Sequence, residues 1–185
     1  GTQSSGYTTS GWTGPSASNN FQTYNGSSWS SGTTLPISGS HNCSGGPSTN
    51  ITVAAINSST STLEWDGSSW SSGGTMGTAR NEASRLGTTE SSPGGTGFLL
   101  NGGASPYMTS EIYNGSSWST AAHAHTAPAY GESSNDQSSR GGGDTGGGNA
   151  RGMIMGGGSP PYPSSKVAVY TGAALAALSS PATFS

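Results

Sequence analysis

The stretch Glu111-Ile112-Tyr113-Asn114-Gly115-Ser116-Ser117-Trp118 decides the fold, because close copies of it occur twice earlier in the chain. The earlier copies are Tyr24-Asn25-Gly26-Ser27-Ser28-Trp29 and Glu64-Trp65-Asp66-Gly67-Ser68-Ser69-Trp70. Each copy has the pattern of a strand, an Asn-Gly or Asp-Gly turn where positive φ is needed, and a Trp that starts the return strand. The sequence therefore predicts one β-hairpin that is repeated along the chain.

The composition favours several small packed modules over one large core. The 185 residues fit one domain, yet only 29% are hydrophobic and only 7% are charged, and both values lie below ordinary globular usage. The 32 Gly residues, with abundant Ser and Thr, indicate turns and tight strands. Repeat proteins suit such a composition, because each unit buries a small face against its neighbour.

Charge and hydropathy narrow the classes of partner. The formal net charge is −3 and the chain has five Lys and Arg, so it lacks a cationic stripe and we expect no nucleic-acid partner. No apolar run approaches the roughly 20 residues of a membrane span, so we expect no membrane insertion. Cys43 is the single cysteine, which excludes an intrachain disulfide and a cysteine metal site. The chain starts at Gly1 instead of Met, and we expect a processed product or a segment of a longer protein.

Four repeat units follow from the spacing of the hairpins. Trp29 and Trp70 lie 41 residues apart, and Trp70 and Trp118 lie 48 apart. Periods of about 40 to 50 residues with several short strands are typical of propeller blades. We therefore predict a single repeat domain over residues 1–185, with units at 1–31, 32–73, 74–121 and 122–172 and a candidate closing strand at 173–185.

Branched and apolar runs indicate where the remaining strands lie. We predict strands at 50–56 and 82–89, and two short buried strands that end in a Gly pair at 98–103 and 153–157. We predict a hairpin without its closing Trp at 166–172, connecting or loop sequence at 34–46 and 132–149, and one short helix candidate at 173–178.

The third unit has a defined order of parts. An apolar strand is followed by a Gly pair, a variable loop, an aromatic residue with its turn, and a Trp about six residues later. This order resembles the kelch repeat. The resemblance implies an all-β, kelch-like β-propeller with about four blades in this chain, as a small closed ring or as part of a larger or multi-chain ring. The structural repeat positions are Tyr24, Trp29, Trp65, Trp70, Gly102, Gly103, Tyr113, Trp118, Gly156, Gly157 and Tyr170.

The units depart from this pattern in places. The first unit has no Gly pair, and the second has Asn57-Ser58 after its apolar strand. The fourth unit lacks a Trp after Tyr170. We expect the C-terminal residues 181–185 to complete the first blade as a strand clasp, because closure removes exposed sheet edges.

The amino-acid sequence of the repeats is similar to that of repeats in a particular group of proteins. Asn-Gly-Ser-Ser-Trp, together with Thr78-Ala79-Arg80-Asn81 and Gly1-Thr2-Gln3, resembles the degenerate kelch-like repeats in tail, fibre and head-decoration proteins of marine and cyanobacterial phages. The resemblance implies a location at the virion surface or outside the cell.

The aromatic residues have two interpretations. Flat rings suit stacking on sugars, but recurrence at equivalent positions favours packing between neighbouring sheets. Aromatics outside the repeated positions are better candidates for ligand contact, and these are Trp12, Tyr107, Tyr130 and Tyr162.

The polar residues indicate neither a metal nor a cofactor. His123 and His125 share one face of a predicted strand but have no third ligand beside them. The Gly-rich insertion offers oxygen ligands at a spacing that matches no calcium loop. Those candidate oxygen ligands are Asn135, Asp136, Asp144 and Asn149.

Catalytic patterns are weak as well. No Gly-x-Ser-x-Gly elbow occurs in a strand-to-helix context. Glu64 and Glu111 precede equivalent aromatics in two units, so we interpret them as repeat positions and not as a catalytic carboxylate pair. Arg80 and Arg85 are expected to orient loops through bonds to backbone or to Glu. Asn-x-Ser/Thr sequons occur at Asn25, Asn42, Asn50, Asn57 and Asn114.

We therefore expect a non-enzymatic structural or receptor- and glycan-contacting component of a phage virion, as tail, fibre or capsid decoration. The expected partners are other virion proteins or copies of the chain itself, and a host surface glycan. One alternative is a glycosylated extracellular fibre or surface-layer subunit, and a second is a glycan hydrolase carried on a propeller. Function is expected where the repeats differ, at 91–95, 104–108, 132–149 and 159–165.

Overall fold

In the part of the chain that the structure describes, strands form every regular element except one short 3-10 turn. The computed structural model describes residues 3–40, 42–80, 83–86, 98–101, 110–124, 140–144, 151–155, 167–170 and 174–177. The strands are β1 Gly6–Trp12, β2 Ala17–Tyr24, β3 Trp29–Ser31, β4 Cys43–Gly45, β5 Ile51–Ala54, β6 Leu63–Trp65, β7 Trp70–Ser72, β8 Ser84–Leu86, β9 Phe98–Asn101, β10 Ser110–Tyr113, β11 Trp118–Ala124, β12 Arg140–Asp144, β13 Arg151–Met155, β14 Val167–Tyr170 and β15 Ala174–Ala177. The predicted all-β class is confirmed.

The strands form three sheets. The first sheet has the order β1-β2-β3, and the second has the order β4-β5-β6-β7. The third sheet has eight strands in the order β12-β13-β14-β15-β11-β10-β9-β8. Neighbours pair antiparallel except β11 and β15, which pair in parallel through Ala122–Ala124 and Ala174–Ala176. The third and fourth predicted units therefore share one sheet, and the described strands form no closed propeller ring.

All four hairpins have the same register. Tyr24 lies opposite Trp29, Trp65 opposite Trp70, and Tyr113 opposite Trp118. In the fourth hairpin Tyr170 lies opposite Leu175. The fourth unit lacks the Trp but keeps the hairpin, with Leu175 in its place.

The hairpin tips explain why Asn or Asp recurs there. In the first tip the Asn25 N–H donates to the Ser28 carbonyl at 3.2 Å, and the Asn25 Oδ1 accepts from the Ser27 and Ser28 N–H groups at 3.0 and 2.9 Å. The same bonds recur at the Asp66 and Asn114 tips. Positive φ falls on the following glycine, at 100°, 96° and 95° in the three tips. The recurring residue is therefore selected by its side-chain oxygen, as in an Asx turn, and glycine alone supplies the left-handed backbone.

Two apolar cores lie on opposite faces of the second sheet, whose strand β5 is buried along its whole length. The core between the first and second sheets contains Phe21, Leu35, Ile51, Val53, Ile56, Leu63 and Trp65. The core towards the third sheet contains Cys43, Ala54, Ala55, Met76, Ala83 and Tyr113. Each core joins two sheets, as expected for stacked repeats.

Four local predictions are wrong. The connecting sequence 34–46 contains β4, and the loop 132–149 contains β12, which pairs with β13 along its whole length. The helix candidate 173–178 contains β15, because pairing with β14 and β11 overrides the high helix propensity of its Ala and Leu residues in a segment too short to form a stable helix alone. The strand predicted at 50–56 ends at Ala54, because Ala55 has φ of 56°.

Candidate functional site

Each of the first two units ends in a connector that is anchored in the same way. The Gly32 N–H donates to the Phe21 carbonyl at 2.9 Å, and 41 residues later the Gly73 N–H donates to the Thr62 carbonyl at 2.9 Å. Two further pairs of backbone bonds repeat at the same offset: Leu35 to Asn19 with Met76 to Thr60, and Gly39 to Ser18 with Arg80 to Ser59.

The closing Trp of each later hairpin binds the connector of the preceding unit. Trp70 Nε1 donates to the Thr33 carbonyl at 2.9 Å, and Trp118 Nε1 donates to the Gly74 carbonyl at 3.1 Å. Thr33 and Gly74 both lie four residues after the Trp of their own unit. Trp118 also donates to the Thr62 hydroxyl at 2.8 Å. These two Trp residues therefore fix the distance between neighbouring sheets.

Tyr113 closes the joint between the second and third sheets. Its hydroxyl donates to Glu64 Oε1 and accepts from the Gly74 N–H at 3.0 Å. The Tyr113 side chain is fully buried. Burial, followed by the bond to Glu64, raises the pKa of Tyr113 to about 12.

A buried ion pair crosses the same joint. Arg80 Nε and Nη2 donate to Glu111 Oε2 at 3.1 and 3.0 Å, and the Gly77 N–H donates to Glu111 Oε1 at 2.7 Å. The expected role of Arg80 in orienting a loop through Glu is confirmed. The predicted equivalence of Glu64 and Glu111 is wrong. Glu64 lies one residue before the hairpin aromatic Trp65 and pairs with Ser71, whereas Glu111 lies two residues before Tyr113. Both carboxylates nevertheless bind partners across this joint.

A cleft of about 480 Å³ opens between the first and second sheets. Phe21 and Trp65, whose ring centroids are 4.9 Å apart, form its floor. Ser4 and Ser5 lie at one side, where the Ser5 hydroxyl bonds to that of Ser48. The other lining residues are Thr23, Tyr24, Asn25, Gly32, Thr33, Gly67 and Ser68. No described lining residue is Lys, Arg, His, Asp or Glu, so the lining is uncharged and rich in hydroxyl groups.

Of the predicted contact residues, Trp12 lies in the described part of the chain and is not among the residues that line the cleft. Trp12 is 62% exposed at the end of β1. Tyr107, Tyr130 and Tyr162 lie outside the described residues, as do the Gly pairs 102–103 and 156–157 and the loops 91–95, 104–108 and 159–165.

The repeated aromatics differ in burial. Trp65 is 6% exposed, Trp70 and Trp118 are half-buried, and Trp29 is 52% exposed. Trp29 contacts the Tyr24 ring at 5.2 Å between centroids. The expectation of inter-sheet packing is therefore wrong for Trp29, because no sheet lies in front of the first one among the described strands.

The sequons occupy different environments. Asn25 and Asn114 lie on exposed hairpin tips with their Oδ1 atoms engaged by Ser N–H groups, whereas Asn50 is buried. Within the described ranges there is no cluster of three or more His, Cys, Asp or Glu residues, and no helix there is long and apolar enough to cross a membrane. The calcium candidates Asn135, Asp136 and Asn149 and the residue His125 lie outside the described part of the chain.

Sequence reasoning missed the cleft because it treated the connectors as uniform. The sequence signal for the cleft is that Gly32-Thr33 follows the first Trp whereas Gly73-Gly74 follows the second. The effect of this difference depends on which hairpin tip lies opposite each connector. Comparison with known proteins finds no protein-family model and no curated protein that matches this chain.

Proposed function

We propose that this chain is a kelch-like β-propeller module of about four blades that serves as a non-enzymatic, glycan-contacting structural component of a phage virion. Tail, fibre or capsid decoration are the places that such a module occupies, at the virion surface or outside the cell. The other virion proteins and copies of the chain are its partners. The phage assignment follows from the resemblance of the repeated hairpin sequence to the kelch-like repeats of phage tail, fibre and head-decoration proteins.

One observation carries the structural part of the proposal, namely that the repeated hairpin joins each sheet to the sheet before it. Trp70 and Trp118 donate to equivalent connector carbonyls, at 2.9 and 3.1 Å. Glu64 and Glu111 bind Tyr113 and Arg80 across the second joint. Recurrent residues thus hold sheets together, and this leaves ligand contact to surfaces where the units differ.

The location is tested by antibody labelling of purified phage particles and by mass spectrometry of their proteins. We expect the chain in intact particles at a stoichiometry that is a multiple of the particle symmetry. Recovery of the chain only from the particle-free soluble fraction would refute the virion assignment. Its intact mass separates the main alternative, because a glycosylated surface-layer subunit carries added sugar at exposed tips such as Asn25 and Asn114.

A further inference from the structure

We infer that the cleft between the first and second sheets is a binding site for a neutral saccharide. The inference rests on the proposed glycan contact and adds to it a position on the chain and a class of sugar. The cleft volume of about 480 Å³ lies within the range of about 300 to 1,000 Å³ of small-ligand sites.

A comparison of the joint between the first and second sheets with the joint between the second and third sheets shows why the first one is open. Thr33 and Ser68 flank the open cleft, and their equivalents in the next joint are Gly74 and Ser116. There the Gly74 backbone packs directly on Ser116, and a Cβ atom on Gly74 would overlap the Ser116 carbonyl oxygen. The second joint is closed because glycine allows this approach, and the Cβ of Thr33 prevents the same approach in the first.

Two further pairs of equivalent residues also differ between the open joint and the closed joint. Thr23 lines the cleft, and Glu64 occupies the equivalent position in the second joint. Glu64 reaches Tyr113, whose hydroxyl also accepts the Gly74 N–H. In the first joint Trp65 replaces Tyr113, and its Nε1 donates to the Ser48 carbonyl of its own unit at 3.1 Å. Trp65 therefore bonds within its own unit, whereas Tyr113 bonds to Glu64 of the preceding unit.

The lining matches the chemistry of a sugar. Phe21 and Trp65 are 2% and 6% exposed, so the floor offers a small apolar surface to a sugar ring, and the hydroxyl groups around it donate to and accept from sugar hydroxyls. Four hydroxyls line the cleft, on Thr23, Thr33, Ser48 and Ser68. Those of Thr23, Ser48 and Ser68 bond to Ser30, Ser5 and Asp66, and each of these oxygens keeps a lone pair that accepts from a sugar hydroxyl.

The charge near the cleft selects for neutral sugars. Ser68 Oγ donates to Asp66 Oδ1 at 2.8 Å, so a carboxylate lies beside the rim. Backbone bonds from Ser69 and Ser68 hold the pKa of Asp66 well below its usual range, so this carboxylate stays ionised. No Lys or Arg is among the described lining residues to balance a uronic or sialic acid, so acidic sugars are disfavoured.

The test measures binding of neutral gluco-, galacto- and manno-oligosaccharides and of sialyllactose and polygalacturonate, by titration followed in NMR spectra. The five Trp residues give separate indole N–H signals. We expect a neutral oligosaccharide to shift the signals of Trp65 and Trp70, whose Nε1 atoms bond to the cleft residues Ser48 and Thr33. The Trp12 and Trp118 signals should not move.

Variants decide the location of the site. Thr23→Glu introduces into the cleft the residue type that Glu64 supplies at the equivalent position of the closed joint. It should weaken binding by about tenfold or more, which corresponds to about 1.4 kcal/mol. Gln22→Glu adds the same charge to the neighbouring, exposed position on the other face of β2 and should leave affinity within about twofold. Thr33→Met obstructs the rim while keeping the carbonyl that Trp70 binds, and should also weaken binding. It serves as the second variant if Thr23→Glu lowers the melting temperature.

Two outcomes overturn the inference. One is that no neutral oligosaccharide binds at millimolar concentration, and the other is that binding shifts Trp12 or Trp118 and persists in both cleft variants. Particle association is measured separately, so a chain found in virions without saccharide binding would contradict this site and leave the structural role standing.

Discussion

At the scale of single residues, Tyr113 shows how one hydroxyl ties two sheets together. Its bonds to Glu64 and to the Gly74 N–H are made in a fully buried position. Replacing it by Phe keeps the ring but leaves two half-buried polar partners without this bond, and a loss of about 1 to 3 kcal/mol in unfolding free energy is expected at neutral pH. Tyr24→Phe is the matched control, because the Tyr24 hydroxyl donates to the Gly26 carbonyl on the exposed first tip.

The raised pKa of Tyr113 predicts a loss of stability in alkali. The folded pKa of about 12 lies above the unfolded value of about 10, so the folded state retains the proton longer. This contribution is fully present below about pH 10 and is lost as pH rises towards 12, by an amount on the order of 2 kcal/mol. Urea denaturation at several pH values should show a shallower alkaline decline in Tyr113→Phe than in the wild type. Parallel profiles would contradict the assignment.

Asp66 predicts the opposite pH dependence. Its depressed pKa means that its contribution is present above the unfolded value of about 3.9 and is lost as pH falls. Asp66→Asn recreates the tips that carry Asn25 and Asn114, so we expect unchanged stability at pH 7 and a smaller loss below about pH 4. Thermal melts over this range provide the measurement. A variant whose acid stability equals that of the wild type would argue against the Ser68 and Ser69 bonds as the cause.

At the scale of the elements, the closing Trp anchors each hairpin to the connector before it. Trp118→Ala removes a packed indole and its bonds to Thr62 and Gly74, and we expect a loss of about 3 to 5 kcal/mol. Denaturant unfolding of the isolated chain measures it. A loss below about 1 kcal/mol would show that the indole contributes little to the joint.

The hairpins are also the elements that the sequence predicts best. Tyr-Asn-Gly-Ser-Ser-Trp encodes its own register and turn, because the Asx bonds and the glycine conformation are local. The strands β4, β12 and β15 were missed because their sequences are Gly-, Ser- or Ala-rich, and they become extended through pairing with neighbouring strands and not through their own propensity. The cleft escaped prediction for the same reason, since its width depends on Thr33 meeting the tip of another unit.

The Arg80–Glu111 pair tests whether the second joint depends on its charges. Both side chains are buried, at 0% and 8% exposure, so Arg80→Met alone leaves an uncompensated carboxylate and should cost about 3 to 5 kcal/mol. The double variant Arg80→Met with Glu111→Leu places Leu where the second unit has Leu63, and should recover most of that loss. Calorimetry of the single and double variants measures the recovery, and a double variant as unstable as the single one would contradict this account.

At the scale of the whole molecule, the described residues leave exposed the face of the first sheet that corresponds to the packed face of the second sheet. Gln22, Tyr24 and Trp29 hold the positions that Leu63, Trp65 and Trp70 hold in the second sheet, yet Gln22 is exposed and Trp29 is 52% exposed. The alternation of side chains along β2 places Gln22 on the opposite face from Phe21, which packs towards the second sheet, and Trp29 lies opposite Tyr24 in the hairpin. A closed ring within one chain would cover them, whereas a multi-chain ring would leave them free in the isolated chain and covered in the assembled particle.

Trp29→Ala therefore reports on how the ring is completed. In the isolated chain we expect a change within about 0.5 kcal/mol, since the indole is 52% exposed and its ring contact among the described residues is with Tyr24, against the large loss for Trp118→Ala. Denaturant unfolding at several protein concentrations makes the comparison. A loss of about 3 kcal/mol that is independent of concentration would mean that another part of the same chain covers Trp29, which contradicts the open first sheet. A loss that grows with concentration would mean that copies of the chain already associate through this face before any particle is built.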